Sequence, residues 1–367
     1  MTGPLAGIRI IEIQGIGPGP FCGMHFADLG ADVILIERAE AADPVTTKVR
    51  GIANRGKRSI VLDLKSEKDL QTAHDLIDTA DGLIEGMRPG VMERLGLGPE
   101  DCLKRNPKLV YGRLTGWGQS GPLAQSAGHD LNYTSLTGAA WYSGAAEDGR
   151  PVPPPTLVGD IAGGAHYLMI GMLAAMLKSR TTGKGDVIDA AIVDGTSHMM
   201  NLIFDVVPGG LMSADKRGVG VLDGAHWYAV YECADGNFVS IGSLESRFYR
   251  QLLDILGVAD DPDFASQYDV RLWPAQSEKL AKIFNQKTRD EWCRLLEGTD
   301  ACFAPVLTPR EATVHPHNVE RGTFSEANGY IEARTAPRFA TDAPLTPQEI
   351  PEKGAHTTEI MKELKRE

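Results

Sequence analysis

Two short stretches of the chain each place a titratable side chain among glycines. The first spans residues 128–133 and contains His129, and the second spans residues 158–164 and contains Asp160. Glycine lets the backbone approach a ligand closely because it has no Cβ atom. An imidazole and a carboxylate that face one carbon atom from opposite sides suit a reaction that removes a proton and returns it to either face. The motifs therefore predict proton transfer at carbon.

Each motif also has a purely structural interpretation. A histidine in a glycine-rich loop is more often a structural hydrogen-bonding group than a base. Asp160 precedes a helix-like run and could cap a helix N-terminus. Met199 and Met200 are most simply core residues, although their thioethers could also line an apolar pocket. The rest of the chain has to decide between these interpretations.

Strands and helices alternate along the first hundred residues. Short apolar runs predict strands over 8–13, 33–36, 59–63, 82–85 and 109–113, and helical periodicity predicts helices over 21–29, 66–80 and 98–105. Such alternation is typical of a parallel sheet that is covered on both faces. The predicted fold class is therefore α/β.

The second half of the chain has a different pattern. An apolar helical region covers 192–206, and the Gly/Asp-rich interval 209–225 resembles a linker. Beyond it the pattern predicts a small hairpin from 228–231 and 237–241, and amphipathic helices near 246–256 and 275–297. From residue 305 onward the chain is rich in proline and is predicted to be irregular.

The opening strand–turn–helix imitates a dinucleotide-binding fingerprint. Glycines at 15, 17 and 19 follow the first strand, and Glu37 ends the next one, as in folds whose helix N-terminus holds a pyrophosphate. The third fingerprint glycine is replaced by Pro20 in one register and by Cys22 in the other. Prolines also remove amide donors that a phosphate needs. The segment therefore favours a tight turn over a nicotinamide or flavin site.

Four basic residues lie near predicted strand ends or turns: Arg38, Lys65, Arg88 and Arg94. Ligands of open α/β sheets bind outside the carboxyl ends of the strands, and arginine suits phosphate recognition. One such residue could be an ordinary solvated side chain. Four at comparable positions of an acidic protein predict a groove for an anionic cofactor.

The composition disfavours several classes of function. The 367 residues carry a formal net charge of −12 and no basic stripe, so we expect no nucleic-acid partner. The five cysteines are scattered without a CxxC pair, which predicts a reducing compartment and neither disulfides nor a zinc site. The start of the chain lacks a signal-peptide pattern, and the apolar run 167–177 is too short to span a bilayer. A soluble cytoplasmic protein with no membrane partner is expected.

Taken together, the motifs resemble the family III CoA-transferase superfamily and, within it, the α-methylacyl-CoA racemases. Besides 128–133 and 158–164, the resemblance rests on segments spread along nearly the whole chain: 4–12, 28–33, 63–65, 88–91, 116–122, 231–236 and 336–339. The assignment to the superfamily rests on most of these segments, whereas the assignment to the racemases rests on fewer residues.

The resemblance implies a Rossmann-like CoA-binding large domain and a smaller α+β domain. The large domain would take 1–190 and 321–367, the small domain would take 225–320, and 191–224 would form a helix and linker. Two chains would thread through each other as interlocked rings in a homodimer. The active site would then lie between the large domain of one chain and the small domain of the other.

Carried over position by position, the CoA-binding residues of the family fall on strand ends, turns and the first motif. They are Arg38, Leu62, Asp63, Leu64, Lys65, Gly86, Met87, Arg88, Arg94, Gly128, Leu131, Asn132 and Tyr133. CoA is part of the substrate in this family, so the resemblance implies no separate cofactor and no metal.

Removing the α-hydrogen of an acyl thioester places negative charge on the thioester oxygen, so an enzyme must supply a base and stabilise that oxyanion. A histidine such as His129 suits one face because imidazole titrates near neutral pH. Asp160 can serve the other face if burial keeps it protonated for part of the cycle. If Asp130 begins a helix, its backbone amide would face the oxyanion. Glu245 matches a small-domain carboxylate of the racemases, and we assign it to orienting His129, with pairing to Asp160 as the alternative.

The predicted function is therefore a racemase that interconverts (R)- and (S)-2-methylacyl-CoA thioesters through an enolate-like intermediate, within fatty-acid and lipid metabolism. The closest alternative is a CoA transferase, in which the carboxylate matching Asp160 is a nucleophile. His129 and Glu245 favour the racemase, because the transferases do not generally need that pair. The segment 242–246 also lacks the glycine run expected of a transferase flap.

Two further alternatives come from other classes. A non-catalytic CoA-binding protein would keep Arg38 and Arg94 but would not need His129, Asp160 and Glu245 together. A nicotinamide dehydrogenase is disfavoured by the incomplete fingerprint. Bile-acid-like, branched fatty and aryl-propionyl acyl groups all fit the sequence, and so does either physiological direction.

Overall fold

The computed structural model describes residues 3–39, 51–144, 149–327, 329–340 and 348–364. The extreme chain ends, to which the expectation about targeting signals refers, lie partly outside these residues. The chain divides into two compact units. Unit 1 comprises Met1–Met200 and Glu320–Glu367, and unit 2 comprises Asn201–Val319.

Unit 1 is built on a six-stranded parallel sheet. Its strands are β1 (Arg9–Ile13), β2 (Asp32–Glu37), β3 (Arg58–Val61), β4 (Gly82–Glu85), β5 (Val110–Thr115) and β6 (Asp186–Ala191). They lie in the order β3-β2-β1-β4-β5-β6, and every neighbouring pair is parallel. This confirms the predicted α/β fold class. The strand order reverses beside β1, and ligands of such sheets bind at that point, outside the carboxyl ends of the strands.

Helices cover both faces of this sheet. They are α1 (Pro18–Asp28), α2 (Glu67–Asp78), α3 (Val91–Arg94), α4 (Pro99–Arg105), α5 (Asp130–Leu136), α6 (His166–Thr182) and α7 (Ile192–Met199). One buried apolar cluster joins α1 and α6 to the sheet, and a second joins α2 and α4 to its other face. The sheet is therefore buried on both sides, as its nearly continuous apolar strands require.

Two glycines in the central strands let α6 pack directly on the sheet. A Cβ atom at Gly82 would lie 2.7 Å from Met176 Cε, and one at Gly112 would lie 2.8 Å from both Leu168 Cδ1 and Met172 Sδ. Side-chain carbons do not approach this closely in a packed interior. Glycine at these two positions therefore serves the packing of α6, although glycine inside a strand ordinarily destabilises that strand.

One helical segment of the described chain is long and apolar enough to cross a membrane by length and composition alone. It covers Leu157–Thr182, 26 residues, with mean hydropathy 1.3 and 39% of the window buried. The expectation about the bilayer refers to 167–177, whereas the structure adds a π-helical stretch, Leu157–Ala165, that continues into α6. Within α6, Leu168 and Met172 are fully buried against the sheet.

Unit 2 is an α+β arrangement around a three-stranded antiparallel sheet. Its strands are β7 (Tyr228–Glu232), β8 (Phe238–Gly242) and β9 (Phe303–Val306), in the order β7-β8-β9. Its helices are α8 (Asn201–Val206), α9 (Ser246–Leu256), α10 (Trp273–Phe284), α11 (Arg289–Leu296), α12 (Pro309–Val314) and α13 (Pro316–Glu320). The predicted hairpin and the helix over 246–256 are confirmed.

Three sequence-based expectations about the helices and strands are wrong in detail. The helix expected over 275–297 is two helices, because Thr288 and Glu291 form a capping box that starts α11. The region 192–206 is likewise split into α7 and α8. Strand β9 lies where the chain was expected to become irregular, since Pro305 argues against a central strand. It is tolerated because β9 is at the sheet edge.

The end of the chain returns to unit 1. A short antiparallel pair, β10 (Phe324–Ala327) and β11 (Tyr330–Ala333), precedes α14 (Thr357–Glu363). On β11, Glu332 lies 3.2 Å from the Arg55 guanidinium, which also contacts Asp28 at 2.5 Å. All three side chains are buried. This ion-pair cluster fastens β11 to α1.

Candidate active site

The first motif is a turn held together by two aromatic rings. Trp117 and Tyr133 meet edge to face, with ring centroids 4.8 Å apart at 85°, and the Tyr133 hydroxyl donates to the Gly128 carbonyl. A Cβ atom at Gly128 would lie 2.8 Å from the Tyr133 ring and 2.9 Å from Trp117. Glycine is therefore required at 128, and the rings set the position of the next residue, His129.

His129 lies at the N-cap of α5. Its backbone is extended (φ −136°, ψ 173°), and its N–H donates to Asn132 Oδ1 at 3.0 Å. The imidazole itself is exposed. The helix begins at Asp130, which meets the condition set for its backbone amide, and the Asp130 amide has no acceptor within its own helix. An exposed imidazole thus stands beside backbone donors.

The carboxylate of Asp130 joins the two motifs. Its Oδ1 accepts the backbone N–H of Asp160 at 2.8 Å, and Asp130 is only 8% exposed. The predicted role of Asp130 concerns its backbone amide, whereas this contact is made by its side chain. No spacing rule connects positions 130 and 160, so the contact depends on how α5 packs against the π-helical stretch.

Asp160 lies inside the helical segment that starts at Leu157, not before it as an N-cap. The Thr156 hydroxyl donates to Asp160 Oδ2 at 2.9 Å, and Thr156 adopts the left-handed conformation (φ 57°). The Cβ position of Gly17 lies 3.4 Å from Asp160 Oδ2, and the φ of Gly17 is +72°. A residue with a side chain at 17 would contact the carboxylate and would be strained in this backbone conformation.

Burial raises the pKa of Asp160, and the charge of Asp130 raises it further. The Thr156 hydrogen bond and the charge of His129 act in the opposite direction. The net effect is a carboxyl group that is easier to protonate than an ordinary aspartate. Because His129 contributes to this balance, the imidazole and the carboxyl lie in one electrostatic environment.

Arg38 and the loop 86–88 are brought together across β1. Arg38 follows β2, and its N–H donates to Gln14 Oε1 at 3.0 Å. Its Nη2 lies 3.8 Å from the sulfur of Met87, which follows β4. Arg38, Gly86 and Arg88 are all exposed. Two strand ends therefore present guanidinium groups at the edge where ligands of such sheets bind.

A buried pair below this loop sets its shape. Glu85 accepts the Met87 N–H at 2.7 Å and the Arg113 Nε–H at 3.0 Å. Burial raises the pKa of Glu85, while these partners lower it. Sequence analysis did not identify Glu85 or Arg113, although charged residues inside apolar strands are a signal that could have pointed to them.

The remaining predicted CoA positions follow β3 or lie at the end of α3. Lys65 donates its N–H to Asp63 Oδ1 at 3.0 Å, and Leu62 is buried in the core. The Leu62 side chain is therefore not exposed to a ligand, and Leu64 also packs partly on the core. The side chains of Lys65 and Arg94 are exposed.

The Tyr133 hydroxyl interacts electrostatically with both Asp160 and Arg88. Its pKa is raised by burial and by the charge of Asp160, whereas the charge of Arg88 lowers it. The loop after β4 and the Asp160 segment therefore lie near the same ring. Beside it, Leu131 and Asn132 are exposed on α5.

Glu245 belongs to unit 2. It is exposed at the N-cap position of α9, and its charge adds to burial in raising the pKa of the Cys302 thiol. Its role beside His129 stays a prediction.

The dinucleotide-like segment does not form a free ribose site. Gly17 is the N-cap of α1, and Pro18 and Pro20 stand in the first helical turn. Glu37, the candidate for the ribose, is buried and accepts a hydrogen bond from the Ser59 hydroxyl. The segment is a tight turn, as the two prolines suggested.

Comparison with known proteins gives three results. The model of CoA-transferase family III matches residues 5–357. The chain is 40% identical to the α-methylacyl-CoA racemase of Mus musculus over 362 residues, which are 98% of this chain and 93% of that protein. It is also 40% identical to the α-methylacyl-CoA racemase of Homo sapiens over 364 residues, again 98% and 93% of the two chains.

A solved structure has the same fold. A CAIB/BAIF family protein from Brucella suis superposes with a TM-score of 0.85 at 26% identity, over 99% of this chain and 100% of that one.

Proposed function

The chain belongs to CoA-transferase family III, and we propose that within this family it is a racemase that interconverts (R)- and (S)-2-methylacyl-CoA thioesters. The 40% identity to two α-methylacyl-CoA racemases over nearly the full length supports this choice. The observation that carries it is local. An exposed imidazole and a carboxyl group of raised pKa share one site.

In the proposed reaction, one of His129 and Asp160 removes the α-proton of the acyl group. The electron pair of the broken C–H bond moves into the thioester, giving an enolate whose oxygen is negatively charged. The other group, in its protonated form, then donates a proton to the opposite face of the carbon. The two groups exchange roles when the reaction runs backward, and no oxidant or second substrate is consumed.

The backbone amide of Asp130 is the proposed donor to the enolate oxygen. It stands in the first turn of α5 beside the exposed His129 ring. A donor that meets charge developing in the transition state contributes about 3–4 kcal/mol in enzymes where one has been removed. No metal or redox cofactor takes part in the proposal, and CoA remains attached to the acyl group.

The CoA moiety is proposed to lie along the carboxyl edge of the parallel sheet. Arg38 and Arg88 would meet its phosphates from the ends of β2 and β4, and Lys65 and Arg94 would extend this charge. The contact between Arg38 and Met87 supports one continuous binding edge. The acyl end would then lie toward α5, where Leu131 exposes 56% of its surface.

We further propose that the active enzyme is a cytoplasmic homodimer of interlocked chains. In it, Glu245 of one chain would orient His129 of the other. Neither motif in unit 1 supplies His129 with a carboxylate hydrogen-bond partner among the described contacts, and an acid at the N-cap of α9 is exposed and available.

A CoA transferase is the second candidate, because the family takes its name from that activity. There, Asp160 would attack the thioester carbonyl, displace the CoA thiolate and form a mixed anhydride with the acyl group. This scheme uses only the ionised form of Asp160, whereas the racemase uses the protonated form as well, which burial and Asp130 both favour. It also leaves His129 without a role. These two points favour the racemase.

The test is exchange of the α-proton. We expect the enzyme to incorporate deuterium from D2O at the α-carbon of a 2-methylacyl-CoA without any acceptor acid. His129→Ala and Asp160→Ala should each abolish interconversion, and Asp81→Asn, at the opposite edge of the sheet, should not. Transfer of CoA to a free acid with no deuterium uptake would overturn the racemase in favour of the transferase.

A further inference from the structure

We propose that the side chain of Asp130 is a positioning residue for Asp160: its carboxylate anchors the start of the helical segment that carries Asp160 and sets the readiness of that group to hold a proton. The inference rests on the proposed function and concerns the carboxylate of Asp130, as distinct from its backbone amide. Two hydrogen bonds hold Asp160: its N–H donates to Asp130, and its carboxylate accepts from Thr156. Gly159 packs against the Asp130 carboxylate.

The Asp130 carboxylate supplies a hydrogen-bond acceptor to the backbone amide of Asp160. Thr156 is the N-cap of the π-helical stretch. The first backbone hydrogen bond within this stretch is donated by the Ile161 N–H to the Thr156 carbonyl, at 3.3 Å. The N–H of Asp160 is therefore the last amide without an acceptor in its own helix. Asp130 supplies that acceptor from α5 at 2.8 Å. The carboxylate thus caps a helix to which it does not belong.

The packing around this contact leaves no space for a side chain at position 159. A Cβ atom at Gly159 would lie 2.5 Å from Asp130 Oδ1 and 3.0 Å from Thr134 Cγ2. Asp130 and Thr134 are both buried. A hydrogen bond in such a place is held at fixed geometry, and an unpaired group there is costly. The position of Asp160 therefore depends on Asp130.

The negative charge of Asp130 also acts on the carboxyl group of Asp160. Asp130 raises the pKa of Asp160, and burial is the larger cause of that shift. The neighbours that oppose them are the Thr156 hydroxyl and His129. Tyr133 is the other titratable group of α5 that interacts with Asp160.

The other helices that pack against this stretch also carry titratable groups, among them His25 on α1, His166 on α6, and Asp194 and His198 on α7. None of these is a cause of the pKa shift of Asp160, so Asp130 is the negative charge that adds to burial in raising that pKa.

Two substitutions separate the two effects. Asp130→Asn keeps an oxygen that can accept the Asp160 N–H but removes the negative charge. Asp130→Ala removes both, yet it leaves the backbone amide at position 130 in place. Loss of activity in Asp130→Ala is therefore not attributable to loss of the proposed oxyanion donor.

The experiment measures α-proton exchange of a 2-methylacyl-CoA against pH for the wild type and each variant. For Asp130→Asn we expect kcat at the optimum within about threefold of wild type. The ascending limb of kcat/KM should move to lower pH, because Asp160 loses the charge that raised its pKa. For Asp130→Ala we expect kcat to fall about ten- to a hundredfold, since a buried hydrogen bond is lost. KM should stay near the wild-type value.

Asp81→Asn is the matched control. Asp81 Oδ2 also accepts one backbone N–H, from Arg9 at 2.9 Å, but at the amino-terminal edge of the sheet. It should leave both the pH profile and kcat unchanged. Circular dichroism and the thermal midpoint establish that each variant is folded. If the Asp130→Ala protein is not folded, Asp130→Asn still tests the effect of the Asp130 charge on Asp160.

The outcomes separate this inference from the proposed function. If the wild type exchanges the proton and the Asp130→Asn profile coincides with that of wild type, the inference is overturned and the racemase stands. If the wild type only transfers CoA, the racemase fails. The same comparison is then made on the transfer reaction, where an ionised Asp160 is needed and its ascending limb should again move to lower pH.

Discussion

A buried ion pair beneath the first turn of α1 offers a sharp test of the packing argument. Lys57 Nζ lies 2.6 Å from Glu12 Oε2, with the two side chains 0% and 1% exposed. The ammonium also donates to the Pro20 carbonyl at 2.9 Å. A Cβ atom at Gly23 would stand in steric conflict with Glu12 Oε2. The carboxylate therefore has no space in which to turn toward water.

Replacing Lys57 by methionine removes one charge and keeps a similar volume. Breaking a buried pair by deleting one partner typically costs about 3–5 kcal/mol, because the remaining charge has lost its compensation. We expect Lys57→Met to lose stability in this range. The double variant Glu12→Leu/Lys57→Met should recover most of it, since replacing a whole buried pair by apolar residues is often nearly neutral. Lys178→Met breaks an exposed pair with Asp186 and should cost about 1 kcal/mol or less.

The loss should depend on pH. Burial is the main cause that raises the pKa of Glu12 from 4.5 to about 7, and the charge of Lys57 holds it down. A carboxyl group whose pKa is higher in the folded protein binds its proton more tightly there. Its ionisation therefore removes stability as pH rises from 4.5 toward 7, by at most about 1.4 kcal/mol per pH unit. Without Lys57 that window extends to higher pH, so Lys57→Met should be destabilised more at pH 8 than at pH 5.

Urea unfolding at both pH values measures these differences. The variant Glu12→Gln/Lys57→Met lacks the carboxyl group and should show no added pH dependence. A Lys57→Met protein within about 1 kcal/mol of wild type at both pH values would refute the reasoning, because the pair would then contribute no more than an exposed one.

Three further predictions concern the site. Arg38→Ala should raise KM for acyl-CoA about tenfold or more with little change in kcat, since a phosphate contact made equally in ground and transition states is lost; an unchanged KM would exclude Arg38 from CoA binding. Thr156→Val removes the hydrogen bond that lowers the pKa of Asp160, so the ascending limb of kcat/KM should move to higher pH, opposite to Asp130→Asn. Gly128→Ala would place a methyl group 2.8 Å from Tyr133 and should lower kcat by about tenfold or more through displacement of His129. Gly144→Ala, where no atom lies within 4 Å, is its control, and equal activities in the two variants would contradict the packing argument.

Local patterns were sufficient for most of the fold. Apolar strand runs and helical periodicity predicted the α/β class, five of the six strands of the parallel sheet, and the hairpin in unit 2. They failed at Pro305 because a tertiary feature outweighs a local rule: its strand lies at a sheet edge. They also missed a local signal, since the break between α10 and α11 depends on a capping box, Thr288 and Glu291, whose members lie three residues apart.

Residue types and short motifs determined which groups of this protein can do chemistry. His129, Asp160 and the basic residues at strand ends are visible in the sequence because glycine, imidazole, carboxylate and guanidinium have fixed chemical abilities wherever they stand. What the tertiary structure decided is how those abilities are tuned. The Asp130 carboxylate meets the Asp160 amide, the Thr156 hydroxyl holds the Asp160 carboxyl, and Glu85 shapes the loop beside Arg38. The first contact joins residues thirty positions apart, and all three depend on burial and on backbone conformation, which the packing of the whole unit sets and no short stretch of sequence specifies.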